Sequence, residues 1–181
     1  MDNLWDDVKV CFDTDDGSLP GVEISNLSPS GVSAVYDMLR RRSRPGGDSP
    51  KFWNSILQEL VPVDSAADPA ALVVAGKAVA LAHDVQGVVA AGVELPVLGV
   101  RVWPEAVDLS YSLGREWGKA QIAGFFELLR DCCNLDSAAV VVPSLFGGPS
   151  YTERFLRAWS SYNQLTAPGT SDEPGQTSRC T

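Results

Sequence analysis

The chain of 181 residues contains 23 acidic and 14 basic residues, so its formal net charge is −9 and its isoelectric point is near 4.5. This balance argues against a nucleic-acid partner, because duplex binding rests on neutralising phosphates with lysine and arginine. A membrane partner is not expected either, because the best apolar stretch, residues 79–93, is interrupted by His83, Asp84 and Gln86.

The N-terminus and the cysteines predict a cytoplasmic protein. The first residues form neither the basic segment nor the apolar segment of a secretory signal. Four cysteines show no C-x-x-C spacing, and Cys132 and Cys133 are adjacent, so no disulfide framework is indicated. We therefore expect a single domain in a reducing compartment.

The acidic residues are concentrated at the start of the chain. Seven of the first 23 residues are acidic and only Lys9 is basic, which gives this segment a charge of −6. The other 158 residues hold 16 acids and 13 bases, or −3. This asymmetry is the main compositional signal for function.

The first predicted elements are two strands joined by an acidic loop. Residues 8–12 alternate between apolar and polar side chains and predict a strand, and residues 22–24 predict its return. The loop begins as a calcium-binding loop does. Counted from Asp13, however, its glycine, Gly17, falls at position 5 instead of 6, and Ile24 falls at position 12. We therefore interpret it as a polar loop, with partner recognition as the functional alternative.

Two helices that begin at prolines are predicted next. Ser28 and Pro29 form a favourable N-cap and N1 pair before an apolar stripe from Val32 to Leu39. Ser49 and Pro50 are interpreted as the start of a second helix. Its predicted buried face consists of Phe52, Trp53, Ile56, Leu57 and Leu60.

In the middle of the chain the pattern changes to a period of two. A short helix is predicted from Asp68 to Gly76. Strands are then predicted at residues 79–85, 88–95 and 97–103. Residues 107–113 alternate most regularly and predict a half-buried strand.

The C-terminal part alternates between helix and strand. Residues 118–133 predict a helix, and residues 138–142, which are apolar on both faces, predict a central strand. Ser150 and Glu153 form a capping box that predicts the start of a last helix. The order of elements predicts one α+β domain over residues 1–165. It has a mixed, largely antiparallel sheet with helices mainly on one face, and a disordered tail over residues 166–181 follows.

Catalytic signatures are absent or broken in this sequence. His83 is the only histidine, so sites that need two histidines are excluded, and we interpret it as a structural or solvent-facing residue. Cys132 and Cys133 fall at the C-terminal end of a predicted helix, where a thiol is not activated, so we expect them to pack in the core. We therefore predict no catalytic residue, no metal site and no cofactor.

Two charged clusters leave alternatives open. Four arginines, Arg40, Arg41, Arg42 and Arg44, fit the C-terminal end of a helix, with an anion-binding patch as the alternative. Three acids lie around one predicted strand, and such groups can perform acid–base chemistry. A carboxylate-dependent hydrolase or transferase of unknown substrate is therefore the alternative function, using Glu105, Asp108 and Glu116.

We expect a non-enzymatic acidic binding protein with a basic protein partner. The predicted partner-binding residues are Asp13, Asp15, Asp16 and Glu23, which would steer the partner electrostatically. Bacterial immunity proteins, which neutralise cationic toxins, are often small, acidic and cytosolic, and the composition is analogous to theirs. A third hypothesis, a subunit of a larger assembly, predicts an exposed apolar patch of more than a few hundred Å².

Overall fold

The computed structural model describes residues 6–13, 17–79, 81–144 and 148–166. Four α-helices lie wholly within this part of the chain: α1 Pro29–Arg41, α2 Pro69–Val74, α3 Lys119–Cys133 and α4 Pro149–Thr166; residues 6–8 are also α-helical. Two short 3₁₀ helices span Lys9–Cys11 and Val63–Ser65. No helix of the described part is long and apolar enough to cross a membrane.

Ten strands accompany these helices. They are β1 Gly21–Ser25, β2 Arg44–Pro45, β3 Lys51–Asn54, β4 Glu59–Pro62, β5 Leu81–Gln86, β6 Val89–Ala90, β7 Val93–Glu94, β8 Leu98–Val102, β9 Val107–Tyr111 and β10 Val140–Ser144. Six of them form one sheet in the order β10-β1-β9-β8-β5-β2, while β3–β4 and β6–β7 are separate two-stranded hairpins. Every strand pair in the described part is antiparallel.

The helices cover one face of the six-stranded sheet. Val107, Leu109 and Tyr111 of β9 are buried, whereas the alternate residues Asp108 and Ser110 are only half-buried. Contacts of α1 with β9, of α2 with β5, and of α3 with β1 and β10 all lie on the buried side. The predicted α+β fold, with a largely antiparallel sheet and helices mainly on one face, is confirmed.

Local signals at helix starts predicted several elements correctly. The Ser28 hydroxyl accepts a hydrogen bond from the Gly31 N–H at 3.1 Å, and the Asp68 carboxylate accepts one from Ala71 at 2.9 Å. These are the expected N-caps of α1 and α2. The half-buried strand β9 and the long helix α3 also lie where the sequence pattern predicts them.

The prediction of a strand at residues 8–12 was wrong. Residues 9–11 form a 3₁₀ helix, and Val8 and Phe12 are both fully buried. Their separation of four residues fits one helical face as well as it fits a strand. The aromatic core decides between the two, because the Phe12 ring stacks on Tyr111 at 4.8 Å and contacts Trp117 at 4.9 Å.

The predicted helix at residues 50–60 is also wrong, because this segment is the β3–β4 hairpin. The Asn54 side chain accepts hydrogen bonds from the Ile56 and Leu57 N–H groups, which fixes the turn. Of the five residues predicted to be buried, only Phe52 is in the core. The other four are 42–64% exposed, namely Trp53, Ile56, Leu57 and Leu60.

Three further boundaries differ from the prediction. The predicted strand 88–95 is the β6–β7 hairpin, because Ala91 and Gly92 both have positive φ and make a tight turn. Strand β10 lies at the edge of the sheet and not at its centre, so Val140 is half-exposed. Helix α4 begins at Pro149, one residue before the predicted cap at Ser150. The predicted tail lies outside the described residues from position 167 onward.

Candidate protein-binding face

The side of the sheet that faces away from the helices is the candidate site. We call it the open sheet face, and the strand register aligns its side chains in two rows. One row runs through Asp84, Gly99, Ser110 and Gly21, and the other runs through Ala82, Arg101, Asp108 and Glu23. At the edge strand, Val142 continues the second row.

The open sheet face is acidic. Its four inner strands carry three carboxylates, Glu23, Asp84 and Asp108, and one guanidinium, Arg101. Arg44 of the edge strand β2, opposite Gln86, adds a second cation, so the net charge of the face is −3 + 2 = −1. Arg101 and Asp108 are direct partners across β8 and β9. The Arg101 guanidinium carbon also lies 5.6 Å from the centre of the Trp103 ring, which holds the cation beside the aromatic side chain.

Two glycines leave room for the polar side chains of this face. A Cβ atom at Gly99 would lie 2.3 Å from the Ser110 hydroxyl, and one at Gly21 would lie 2.9 Å from a carboxylate oxygen of Asp108. Glycine at both positions therefore lets neighbouring side chains lie across the strands. The result is a shallow cavity of about 440 Å³, lined in part by Leu19, Asp84, Arg101, Asp108 and Ser110.

Asp108 is a half-buried carboxyl group on the open sheet face. Burial raises the pKa of its carboxyl group above the usual value, and the nearby Arg101 opposes that rise. A carboxyl group whose charged form is disfavoured by burial is characteristic of binding and catalytic sites.

Apolar side chains surround the acidic centre. Leu19 is 60% exposed and lines the cavity, and Trp103 is 39% exposed next to Arg101. Val140 and Val142 on the edge strand are also about half exposed. An acidic centre with an aromatic and aliphatic surround matches the composition of many protein-binding surfaces.

Of the four predicted partner-binding residues, Glu23 lies on the open sheet face. Asp13 follows the first 3₁₀ helix, where its N–H donates a hydrogen bond to the Lys9 carbonyl at 2.8 Å. Asp15 and Asp16 lie outside the described residues. Leu19, further along the chain, lines the cavity of the open sheet face.

The other acids of the face were not assigned to partner binding from the sequence. Asp108 is a candidate only in the enzyme alternative, and Asp84 is not a candidate residue for any site. The alternation of β9 already marks Asp108 and Ser110 as the outward side of that strand. Their alignment with Asp84 and Arg101 depends on strand order, which sequence periodicity does not contain.

The three acids of the enzyme alternative do not converge. Glu105 precedes β9, where its carbonyl accepts a hydrogen bond from the Leu27 N–H, and Glu116 follows the opposite end of β9. Asp108 lies between them on the strand. In the described ranges, no group of three or more histidine, cysteine or acidic side chains is placed to hold a metal ion.

Both ring nitrogens of the only histidine, His83, have hydrogen-bond partners. The Tyr36 hydroxyl lies 2.8 Å from His83 Nε2, and His83 Nδ1 lies 3.1 Å from the Asp84 carbonyl oxygen. A neutral ring that donates from Nδ1 and accepts at Nε2 satisfies both contacts. Burial lowers the pKa of His83, which agrees with a neutral structural histidine.

The arginine cluster and the cysteine pair are also held by their surroundings. Ion pairs join Arg40 to Asp64, Arg41 to Asp37 and Arg42 to Asp131. Cys132 is fully buried, and burial raises the pKa of its thiol above the usual value. The thiol is therefore protonated at neutral pH and is not a nucleophile.

Comparison of the chain with protein-family models, curated proteins and solved structures found no match. The geometry of the open sheet face is therefore the basis for a functional proposal.

Proposed function

We propose that this chain is a non-enzymatic binding protein whose open sheet face docks a basic protein partner. The observation that carries the proposal is the alignment of Glu23, Asp84 and Asp108 on the side of the sheet that faces away from the helices, with the cation Arg101 opposite Asp108. A surface of this charge attracts a cationic partner and raises its association rate. The exposed apolar surround supplies contact area once the partner has docked.

The shape of the face favours binding over catalysis. Its three acids are spread over three strands, β1, β9 and β5, instead of meeting in a deep cleft. An acidic cytoplasmic inhibitor of a cationic protein, as immunity proteins are, fits both this surface and the net charge of −9. The proposed partner is thus a basic protein, and the proposed location is the cytoplasm.

A capture experiment with matched variants tests the proposal. Immobilised wild-type protein is incubated with an extract of its host at low salt, washed with high salt, and the eluted proteins are identified by mass spectrometry. The test variant is Glu23→Lys/Asp84→Lys, and the control is Glu94→Lys/Glu153→Lys. The control residues lie on the β6–β7 hairpin, which packs against α3, and on α4.

Each substitution changes the charge by two, so both variants move from −9 to −5. A basic protein retained by the wild type and the control, but not by the test variant, is the expected result. Equal retention by both variants would contradict the open sheet face as the docking surface. Retention of no basic protein by the wild type would contradict the proposed partner class.

A further inference from the structure

A second surface, the tip and outer face of the β3–β4 hairpin, is strongly apolar. Five exposed side chains form what we call the hairpin patch: Trp53, Ile56, Leu57, Leu60 and Val79. The strand register places Leu60 opposite Trp53. The bridge between Asn54 and Ala78 places Val79 on the other side of Trp53, so these three form one continuous row.

The backbone of β4 has an open hydrogen-bonding edge at the centre of this row. The Trp53 carbonyl accepts a hydrogen bond from the Val79 N–H at 3.1 Å, on the side away from β4. In an antiparallel pair of strands, the backbone N–H and carbonyl groups of two opposite residues either bond to each other or both point away from the partner strand. The Leu60 N–H and carbonyl therefore point outward from β4, to an edge on which the described residues place no strand.

We propose that the hairpin patch is a homodimer interface in which the β4 strands of two copies pair antiparallel. The two Leu60 residues would exchange both backbone hydrogen bonds across a two-fold axis. The row from Val79 through Trp53 to Leu60 would then continue into the same row of the second copy. Pro62, which has no N–H, limits the pairing to a short central segment.

The charge of the hairpin favours a second copy over a basic partner. The charged residues of the hairpin and of the segment that leads to Val79 are Lys51, Glu59 and Lys77, so the local charge is +2 − 1 = +1 in a chain of −9. The surface therefore does not attract cations. It also lets two acidic molecules meet where their repulsion is weak.

The area of the patch is compatible with a dimer. Five large side chains that are 42–64% exposed present on the order of 500 Å² of apolar surface, at the upper end of what monomers expose. A specific dimer buries about 600 Å² or more on each copy. The backbone edge and the flanking polar atoms of β4 supply the remaining buried area.

The test is sedimentation or light scattering of the full chain over about 1 to 500 µM, a range that detects dissociation constants in the micromolar region. The variant Leu60→Asp places two carboxylates across the proposed axis. Leu135→Asp is the matched control, because Leu135 is 43% exposed in the turn after α3. We expect a concentration-dependent dimer for the wild type and the control. The Leu60→Asp dimer should be at least tenfold weaker.

A second pair of variants tests the strand pairing itself. Leu60→Ala removes only the side chain, whereas Leu60→Pro also removes the outward N–H, which the monomer does not use. We expect Leu60→Pro to abolish the dimer and Leu60→Ala to weaken it, with unchanged circular dichroism. A wild type that is monomeric throughout would overturn the proposal. So would a dimer insensitive to Leu60→Asp, or equal effects of the proline and alanine variants.

Discussion

The stability of two adjacent variants, Phe52→Ala and Trp53→Ala, distinguishes the hairpin from the helix that the sequence pattern predicts. In the helix, both side chains would lie on the buried face. In the hairpin, neighbouring residues point to opposite sides, so Phe52 is 3% exposed and Trp53 is 42% exposed. The two substitutions should therefore differ strongly in their effect on the free energy of unfolding.

The magnitudes follow from burial. Truncating a buried phenylalanine removes about 3–5 kcal/mol of stability, because it leaves a cavity in the core. Truncating the half-exposed tryptophan should remove about 1 kcal/mol. For a domain of this size, each kcal/mol lowers the melting temperature by about 2–4 °C, so Phe52→Ala should melt about 6–20 °C lower.

The assay is equilibrium urea unfolding followed by circular dichroism, which does not depend on tryptophan fluorescence. Measurements at low micromolar protein, repeated tenfold higher, separate monomer stability from any contribution of the dimer. Leu60→Ala, at another exposed position of the hairpin, is the control and should resemble Trp53→Ala. Equal losses for Phe52→Ala and Trp53→Ala would refute the hairpin.

Three further predictions concern titration and hydrogen bonding. Asp108→Asn should raise stability at neutral pH. Because the pKa of Asp108 is raised in the folded protein, the wild type loses stability as the pH rises through that pKa, and the variant does not. Urea unfolding midpoints of both proteins from pH 4 to 8 measure the difference. Asp136→Asn should instead lower stability at neutral pH. Hydrogen bonds from Ser28 lower the pKa of Asp136, so its contribution is present at neutral pH and is lost as pH falls from about 4 through the lowered pKa. Urea unfolding should show a larger difference between wild type and variant at pH 7 than at pH 3. Tyr36→Phe removes the hydrogen bond to His83 Nε2 and should remove about 1–3 kcal/mol at pH 7.5, measured by urea unfolding; an unchanged free energy of unfolding would contradict this role of the hydroxyl.

Features encoded by a few adjacent residues could be predicted from the sequence. Ser28 with Pro29 and Asp68 with Pro69 identify helix starts, because a cap is satisfied within four residues. The alternation around Asp108 predicts β9 and its outward side. The predicted α+β class followed from the order of such elements.

Features that depend on distant contacts could not be predicted. The spacing of Phe52, Trp53 and Leu60 fits a helix, whereas the pairing of β3 with β4 and the bridge from Asn54 to Ala78 make the segment extended. Likewise, Val8 and Phe12 fit either period, and the aromatic core selects the helical one.

The candidate site depends on strand order in the same way. Glu23 was predicted for partner binding from the local density of acids. Its neighbour Asp108 is far away in the chain, and it is brought close only because β1 pairs with β9. Asp84 joins them through β8, so the acidic face is a property of the whole sheet.

The central claim is that the open sheet face attracts and docks a basic protein. The most direct measurement is the association rate of the captured partner with wild type, Glu23→Lys/Asp84→Lys and Glu94→Lys/Glu153→Lys, at low and at high ionic strength. The account predicts that the open-face variant associates at least tenfold more slowly than the equally charged control at low salt, and that the difference shrinks as salt screens the charges. Equal association rates for the two variants, or a wild-type rate that does not change with salt, would contradict it.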